Sequence, residues 1–469
     1  MKRAWVLVNT LLLGWSLASF TPEPVFENVN AALTVDLTGS YGRQSVQLTV
    51  KNIAKTPQSQ YYYGIDKSLL EGLSMVEGRN LDTQEVLNIG EGEGHDESGL
   101  HLFEINFSEE LAPGAEVNLV IAQAVMDQLK PVPEFADQAG SQFLVYHGNR
   151  HFVSPYKTKN TETKVNTLGR PFTDLDGDDK DKPQVQGGVL QYGPYKNLKP
   201  FESKSLNLRY EHPTPLAKIT KLERDVWVSH WGASLSVEQT FWLKNIGTKL
   251  IDGFSRLDYR RGMNAFNLNY AAIKEVVFGL RPDAREVYYT DLVGNVSTSN
   301  FRSEPQGSIL SIRPRYPIFG GWNYNFTVGW TYDLANFVKN IGEDRYLLRV
   351  PVMEGPKDVT YDKVIVRVIL PEGATDIEAA SPLNVISDMS FTQSFLDTVG
   401  RPTLSLEYDS LFDGHSRAEV LIEYTYSQVA ALRKPVTIAV GFFSVFSLIL
   451  LLSKINIGIS GKRKSEIKE

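Results

Sequence analysis

The chain has no cysteine among its 469 residues. That excludes disulfide staples, thiolate zinc sites and a cysteine nucleophile. It leaves the compartment open, because domains of this size hold together without disulfides even where the surroundings are oxidising. An excess of positive charge is also missing. The formal net charge is −7 and the pI about 5.7, so no nucleic-acid partner is expected. Nor is there a P-loop, a Gly-x-Ser-x-Gly elbow or a His-Glu-x-x-His pair. Long apolar runs are scarce, one near each end. Otherwise 42% hydrophobic and 22% charged residues describe globular material with room for two or three cores.

The two apolar runs set the topology. Lys2-Arg3 precede Ala4–Leu13, followed by Gly14-Trp15-Ser16-Leu17-Ala18. A basic start, an apolar middle and small residues make a signal peptide over residues 1–18, cleaved after Ala18. A retained anchor is the alternative, but the run is short for a span. The second run, Val436–Leu452, carries no charge over 17 residues. Arg433 and Lys434 flank its start, while Lys454, Lys462, Arg463, Lys464 and Lys468 follow it. This asymmetry predicts a transmembrane helix over 436–452 with a lumenal body and a cytosolic tail, 453–469. A buried core helix is the alternative, and the basic tail argues against it. On a helix Thr437, Gly441 and Ser444 share one face, small enough for close docking of a neighbouring helix.

Between the runs the pattern is mainly β. Leu33, Val35 and Leu37 alternate, as do Val46, Leu48 and Val50 and then Val117, Leu119 and Ile121. His212-Pro-Thr-Pro-Leu216 punctuates the chain. Beyond it Val237-Glu-Gln-Thr-Phe-Trp-Leu-Lys-Asn-Ile-Gly247 echoes Val46-Gln-Leu-Thr-Val-Lys-Asn-Ile-Ala54. These signals predict two tandem β-sandwich-like domains, 24–215 and 216–430, followed by the single helix. Two stretches, Ala122–Lys130 and Ala265–Phe278, read as helical patches.

The most pronounced pattern is Arg313–Trp330. Arg313-Pro-Arg-Tyr-Pro317 forces an extended entry and Gly320-Gly321 permits a bend. Trp322, Tyr324, Phe326, Val328 and Trp330 then face one way; Asn323, Asn325 and Thr327 face the other. Either this is a core strand, or the rings form a platform for a sugar or peptide. The same run resembles the ribophorin I family, a subunit of the endoplasmic reticulum oligosaccharyltransferase. Tyr289-Thr-Asp-Leu-Val-Gly-Asn-Val-Ser-Thr-Ser299, Leu222-Glu-Arg-Asp-Val-Trp-Val-Ser-His-Trp231 and Gly253-Phe-Ser-Arg-Leu257 fit it in the same order.

Candidate chemistry is sparse. His147 and His151 stand four apart, a metal-ligand spacing on a helix, yet Gly148 lies between them in a strand-rich region. Asp174-Leu-Asp-Gly-Asp-Asp-Lys-Asp181 starts like a calcium loop, but Asp179 and Val185 occupy the glycine and glutamate positions; a solvated acidic loop fits better. Ser229-His230 are adjacent in sequence only, which does not make a triad. No cofactor is expected in this chain.

The resemblance implies a non-catalytic role. The family's catalytic partner is polytopic and carries Trp-Trp-Asp-Tyr-Gly; here the nearest string, Gly321-Trp-Asn-Tyr-Asn325, lacks the acid. A lipid-linked donor needs a shielded multi-helix site, which one span cannot build. The implied complex moves a preassembled glycan from dolichyl pyrophosphate to Asn in Asn-x-Ser/Thr of nascent chains. Implied partners are the polytopic catalytic subunit, small membrane subunits and the nascent polypeptide, with the membrane itself. The tail resembles the short fungal form and has no retention signal, so residence in the endoplasmic reticulum would come from assembly. A lumenal carbohydrate- or peptide-binding receptor is the alternative. A hydrolase with a β-sandwich domain is a third, without a nucleophile or metal set. Three sequons, at Asn106, Asn295 and Asn325, would be glycosylated in a lumenal body, Asn325 best because threonine follows.

Overall fold

A computed structural model describes residues 20–90, 94–95, 98–177, 181–264 and 271–455. The leader assigned to 1–18 and most of the tail assigned to 453–469 lie outside them. Among the described residues α-helix is confined to Arg256–Asn264, Gln428–Ala431 and Arg433–Lys454; strands make up most of the rest. The two helical patches are corrected where the structure describes them. Ala122 sits inside the strand Glu116–Val125, where ladder pairing with Gly42–Asn52 overrides the helix preference of its alanines. Of 265–278, residues 265–270 lie outside the described set, and the remainder enters the strand Val276–Leu280, whose Val276 and Phe278 alternate into the core.

The chain folds as two halves with one strand order. In the first, Val189–Leu198, Lys157–Asn166, Phe26–Asp36, Gly42–Asn52, Glu116–Val125 and Leu73–Asn80 lie side by side in an 11-stranded sheet. In the second, Arg401–Phe412, Thr360–Ile369, Ala217–Ser229, Ser234–Asn245, Asn323–Asp333 and Arg285–Asp291 take the same places in an eight-stranded sheet. Each series has its one parallel contact between the second and third strands. Each also has a bulge at the same point, between Asn28 and Asn30 and between Ile219 and Lys221. The bulge shifts the inward phase, so that Ile219 and Leu222 both reach the core. A smaller four-stranded sheet containing Phe143–Asn149 and Ser205–Glu211 covers the first core, which runs from Phe26 to Leu216. Sheets containing Gly307–Ile312 and Glu419–Thr425 cover the second, from Ile219 to Ala430.

The Lys-Asn-Ile echo marks equivalent joints. Asn52 and Asn245 are both fully buried. The Asn52 side chain donates to Thr56 O and Leu111 O at 3.0 and 2.7 Å and accepts from Ala54 N at 2.9 Å. Asn245 donates to Ala271 O and Ile318 O at 2.9 and 3.0 Å and accepts from Gly247 N at 2.9 Å. Their main-chain carbonyls receive Gly114 N–H and Gly321 N–H, both glycines at positive φ.

The halves meet at one end of the second sheet. Asp358 accepts from Ser40 N at 2.9 Å and pairs with Arg43; Tyr41 donates to Asp413 at 2.6 Å. Phe135–Ala136 runs parallel to Lys249–Leu250, and Gln142 accepts from Thr248 N at 2.8 Å.

Candidate functional surfaces

The aromatic strand is a core element. Alternation drives Tyr324, Phe326, Val328 and Trp330 inward, and all four are buried. Phe326 stacks on Phe241 at 5.1 Å between centroids. Trp330 is 1% exposed. Trp322 lies half-buried just before the strand, against Phe254, Tyr316 and Phe319. A sugar or peptide platform needs open ring faces, and these rings are turned into the protein. Residues of separate motifs converge here. Tyr324 shares a hydrogen bond with Tyr289 at 2.6 Å and donates to Asp291 at 3.0 Å, while Asp291 is clamped by Arg315. The Arg315 guanidinium, outweighing burial, pulls the Asp291 carboxyl down to about 2.

Other candidate chemistry resolves into structural contacts. His151 is buried and its Nδ1 lies 3.3 Å from Phe152 O; burial lowers its pKa. His147 is exposed and bonds Asn207. Among the described residues no three His, Asp or Glu side chains gather as a metal group would require. The acidic loop is not wholly solvated: Asp174 pairs at 2.7 Å with the buried guanidinium of Arg150 and accepts from Tyr192 at 3.2 Å. Ser229 and His230 diverge. His230 Nε2 meets Tyr424 Oη at 2.8 Å, and Ser229 Oγ accepts from Gly232 N at 3.0 Å. Arg224, within the quoted Leu222–Trp231 motif, is fully buried and pairs with Glu354 at 2.8 Å. Glu354 also accepts from Tyr332 at 2.7 Å. Sequence reasoning missed this charge inside the core; the inward phase of Arg224 between Leu222 and Val226 was the available signal.

The sequons differ in access. Asn295 is exposed in a tight hairpin, whereas Asn106 and Asn325 are half-buried within ladders. Asn325 lies opposite Trp242 on the outer face of the sheet. Thus accessibility favours Asn295, where flanking residues favoured Asn325.

Two clefts open on the first half. One, of about 450 Å³, crosses the outer sheet face beside Asn30, Gln47, Thr49, Asn118, Asn160 and Glu162. The other, of about 360 Å³, is lined by Gln44, Tyr63, Asp66, His147, His151 and Asn207, among others. Amides and hydroxyls in such grooves can hydrogen-bond a peptide backbone or sugar hydroxyls.

The helix Arg433–Lys454 touches almost nothing beyond its first turns and has no buried residue. Thr437 and Ser444 hydroxyls donate back to Arg433 O and Val440 O at 2.9 and 2.8 Å. A Cβ at Gly441 would meet no atom within 4 Å. The segment Gln428–Lys454 is long and apolar enough to cross a membrane.

A family described as Ribophorin I matches residues 26–453. The dolichyl-diphosphooligosaccharide–protein glycosyltransferase subunit 1 of Schizosaccharomyces pombe is 30% identical, over 91% of this chain and 94% of that one. Subunit 1B of Arabidopsis thaliana is 28% identical over 97% of this chain and 98% of its own. Subunit 1 of Caenorhabditis elegans is 28% identical over 97% and 76%.

Proposed function

The chain belongs to the ribophorin I family, and from that premise we propose that it is a non-catalytic subunit of the oligosaccharyltransferase. The complex would transfer a preassembled glycan from dolichyl pyrophosphate to Asn-x-Ser/Thr of nascent polypeptides. This chain would sit in the endoplasmic reticulum membrane, its body lumenal and its short tail cytosolic. There it would act as a scaffold that can present the acceptor polypeptide to a polytopic catalytic subunit.

The observation that carries this reading is the family match from the first strand through the helix, residues 26–453. Three features support a scaffold. A lipid-linked donor must react within a shielded site at membrane depth, and a single span cannot enclose one. The buried acids hold the chain together: Glu354 serves Arg224, and Asp397 serves Arg401 and Lys434. The amide-lined groove across the outer sheet face of the first half offers hydrogen bonds to a polypeptide.

Purification of the tagged chain in mild detergent tests the reading. A polytopic transferase should co-purify at equal stoichiometry. The isolated chain should transfer no glycan from a dolichol-linked donor to an Asn-x-Thr peptide, and adding back the partners should restore transfer. Recovery alone or with glycoprotein cargo would favour the receptor; transfer by the isolated chain would overturn the non-catalytic role.

A further inference from the structure

At the end of the eight-stranded sheet remote from the first half, four segments come together. They are the turn after Ser229, the stretch 371–374, the hairpin tip 393–400 and the start of the helix at 427–434. Their contacts are specific. Trp231 Nε1 donates to Ala431 O at 2.9 Å. Glu372 accepts from Thr398 N at 2.6 Å and Val399 N at 3.0 Å, fixing the tip from below. Gly373, at φ +87°, abuts the helix start, where a Cβ would lie 3.1 Å from Ala430 Cβ. At the tip itself the wholly buried carboxylate of Asp397 pairs with Arg401 at 3.2 Å and with Lys434 at 2.8 Å. Lys434 is the second residue of the helix Arg433–Lys454. The tip is therefore locked to the helix at the point where the helix begins.

This base exposes apolar side chains. Phe395 is 85% exposed and Phe391 72%; Trp231, Val399 and Val429 are also open. Exposed apolar side chains gathered at one end of a fold mark a protein or membrane contact site. We infer that the tip 393–400, with Trp231, lies in the headgroup layer of the bilayer on the side of the chain's body. Its apolar side chains then reach the edge of the hydrocarbon.

The level follows from the helix. The uncharged run Val436–Leu452 has 17 residues, which is about 26 Å of helix at about 1.5 Å per residue. A bilayer core is about 30 Å thick. A short span draws its flanking residues toward the hydrocarbon. Lys434 stands two residues before the run, so whatever is ion-paired to Lys434 is drawn to the same level. Pairing with Asp397 lowers the cost of bringing that ammonium there. Tryptophan favours this layer, where its ring body is apolar and the indole N–H finds a polar acceptor, and phenylalanine accompanies it on the apolar face of interfacial segments. Trp231 has that geometry, with its N–H on a carbonyl.

The inference rests on the helix being the membrane span, and the test separates the two. Because the chain has no native cysteine, single nitroxides can be placed by Phe395→Cys, Val399→Cys, Val293→Cys and Leu448→Cys. Val293 is exposed at the opposite end of the sheet, and Leu448 lies in the helix. Collision rates with oxygen and with a water-soluble nickel chelate are read for the full chain in phosphatidylcholine nanodiscs and for the purified complex. Positions 395 and 399 should be oxygen-accessible and chelate-protected in both samples, shallower than 448, while 293 meets the chelate freely. Chelate access at 395 and 399 equal to that at 293, with 448 in lipid, overturns the inference and leaves the span standing. Shielding of 395 and 399 from both reagents in the complex also overturns it, assigning the patch to a protein neighbour. Chelate access at 448 overturns both the span and the inference.

Discussion

Replacing Asn245 by alanine should destabilise the second half by about 4 kcal/mol. The fully buried amide donates to Ala271 O and Ile318 O and accepts from Gly247 N. Ile318 O keeps the Ile273 N–H at 2.9 Å, so its loss is only partial. The Ala271 carbonyl and the Gly247 amide lose the Asn245 partner outright. A net hydrogen bond is worth about 1 kcal/mol, and a stranded buried group costs about 1–3 kcal/mol. Three lost bonds with one badly stranded group come to about 4 kcal/mol. For a unit of about 200 residues this lowers Tm by about 8–16 °C. Asn245→Asp should be worse than alanine, because it keeps the acceptor but turns a carboxylate toward two carbonyl oxygens. Asn52→Ala, with the same three contacts, should weaken the first half comparably. Scanning fluorimetry of the full chain in detergent gives the Tm, and amide exchange reports which half opens. A shift below about 3 °C for Asn245→Ala, or an aspartate variant more stable than the alanine one, would refute the joint.

Glu354→Ala should cost about 3–5 kcal/mol by leaving Arg224 charged in the core, while Arg224→Met with Glu354→Leu should recover most of it; denaturant midpoints decide. Burial lowers the pKa of His212 from 6.5 to about 4, so its neutral form supports the fold above pH 6.5. That support drains as pH falls through 6.5 toward 4, about 2 kcal/mol by pH 5; His212→Gln should flatten Tm against pH over this window. Glycopeptide mass spectrometry of mature protein should find Asn295 occupied ahead of Asn325, and three unmodified sequons would count against a lumenal body. Gly441→Ile should leave carbonate-resistant membrane retention intact but loosen co-purifying membrane subunits; unchanged recovery would assign their attachment to the body instead.

The inward face of Asn323–Asp333 was legible because alternation reports a face directly: Tyr324, Phe326, Val328 and Trp330 all point to the core. Alternation does not report what covers the other face. Gly329 is buried because the ring of Tyr288 lies where its Cβ would be. Nor does it report which strand lies alongside. Phe26–Asp36 pairs in parallel with Lys157–Asn166, and Ala217–Ser229 with Thr360–Ile369. Such partners lie more than a hundred residues away, joined by long crossovers. The Lys-Asn-Ile echo was readable because part of the work of each asparagine is local, accepting from an amide two residues on. Its other partners, at Leu111 and at Ile318, come from distant turns. Among the acids, Asp174 looked solvated because nothing nearby in sequence announces Arg150. Likewise Asp397 and Lys434 meet only once the sheet has set the hairpin beside the helix.

How the helix joins the body bears on what a scaffold can do. A swivelling anchor would need a flexible, Gly- or Ser-rich connector between fold and span. Here the strand Glu419–Thr425 is followed after two residues by Gln428–Ala431, and Leu432 in helical conformation leads straight into Arg433–Lys454. Ser427 caps the first turn by accepting from Ala430 N at 3.2 Å. Trp231 and Asp397 then hold the joint from two sides. These contacts tie the start of the helix to the sheet. The strand Ala217–Ser229 leads from the first half to this base over 13 residues, about 40 Å at about 3.3 Å per residue. In the proposed topology, a small rotation of the span would be carried as a lever to the amide-lined grooves of the first half. In the proposed scaffold, neighbouring helices seated on Gly441 would set the position of those grooves, and the span would then shape the scaffold as well as tether it.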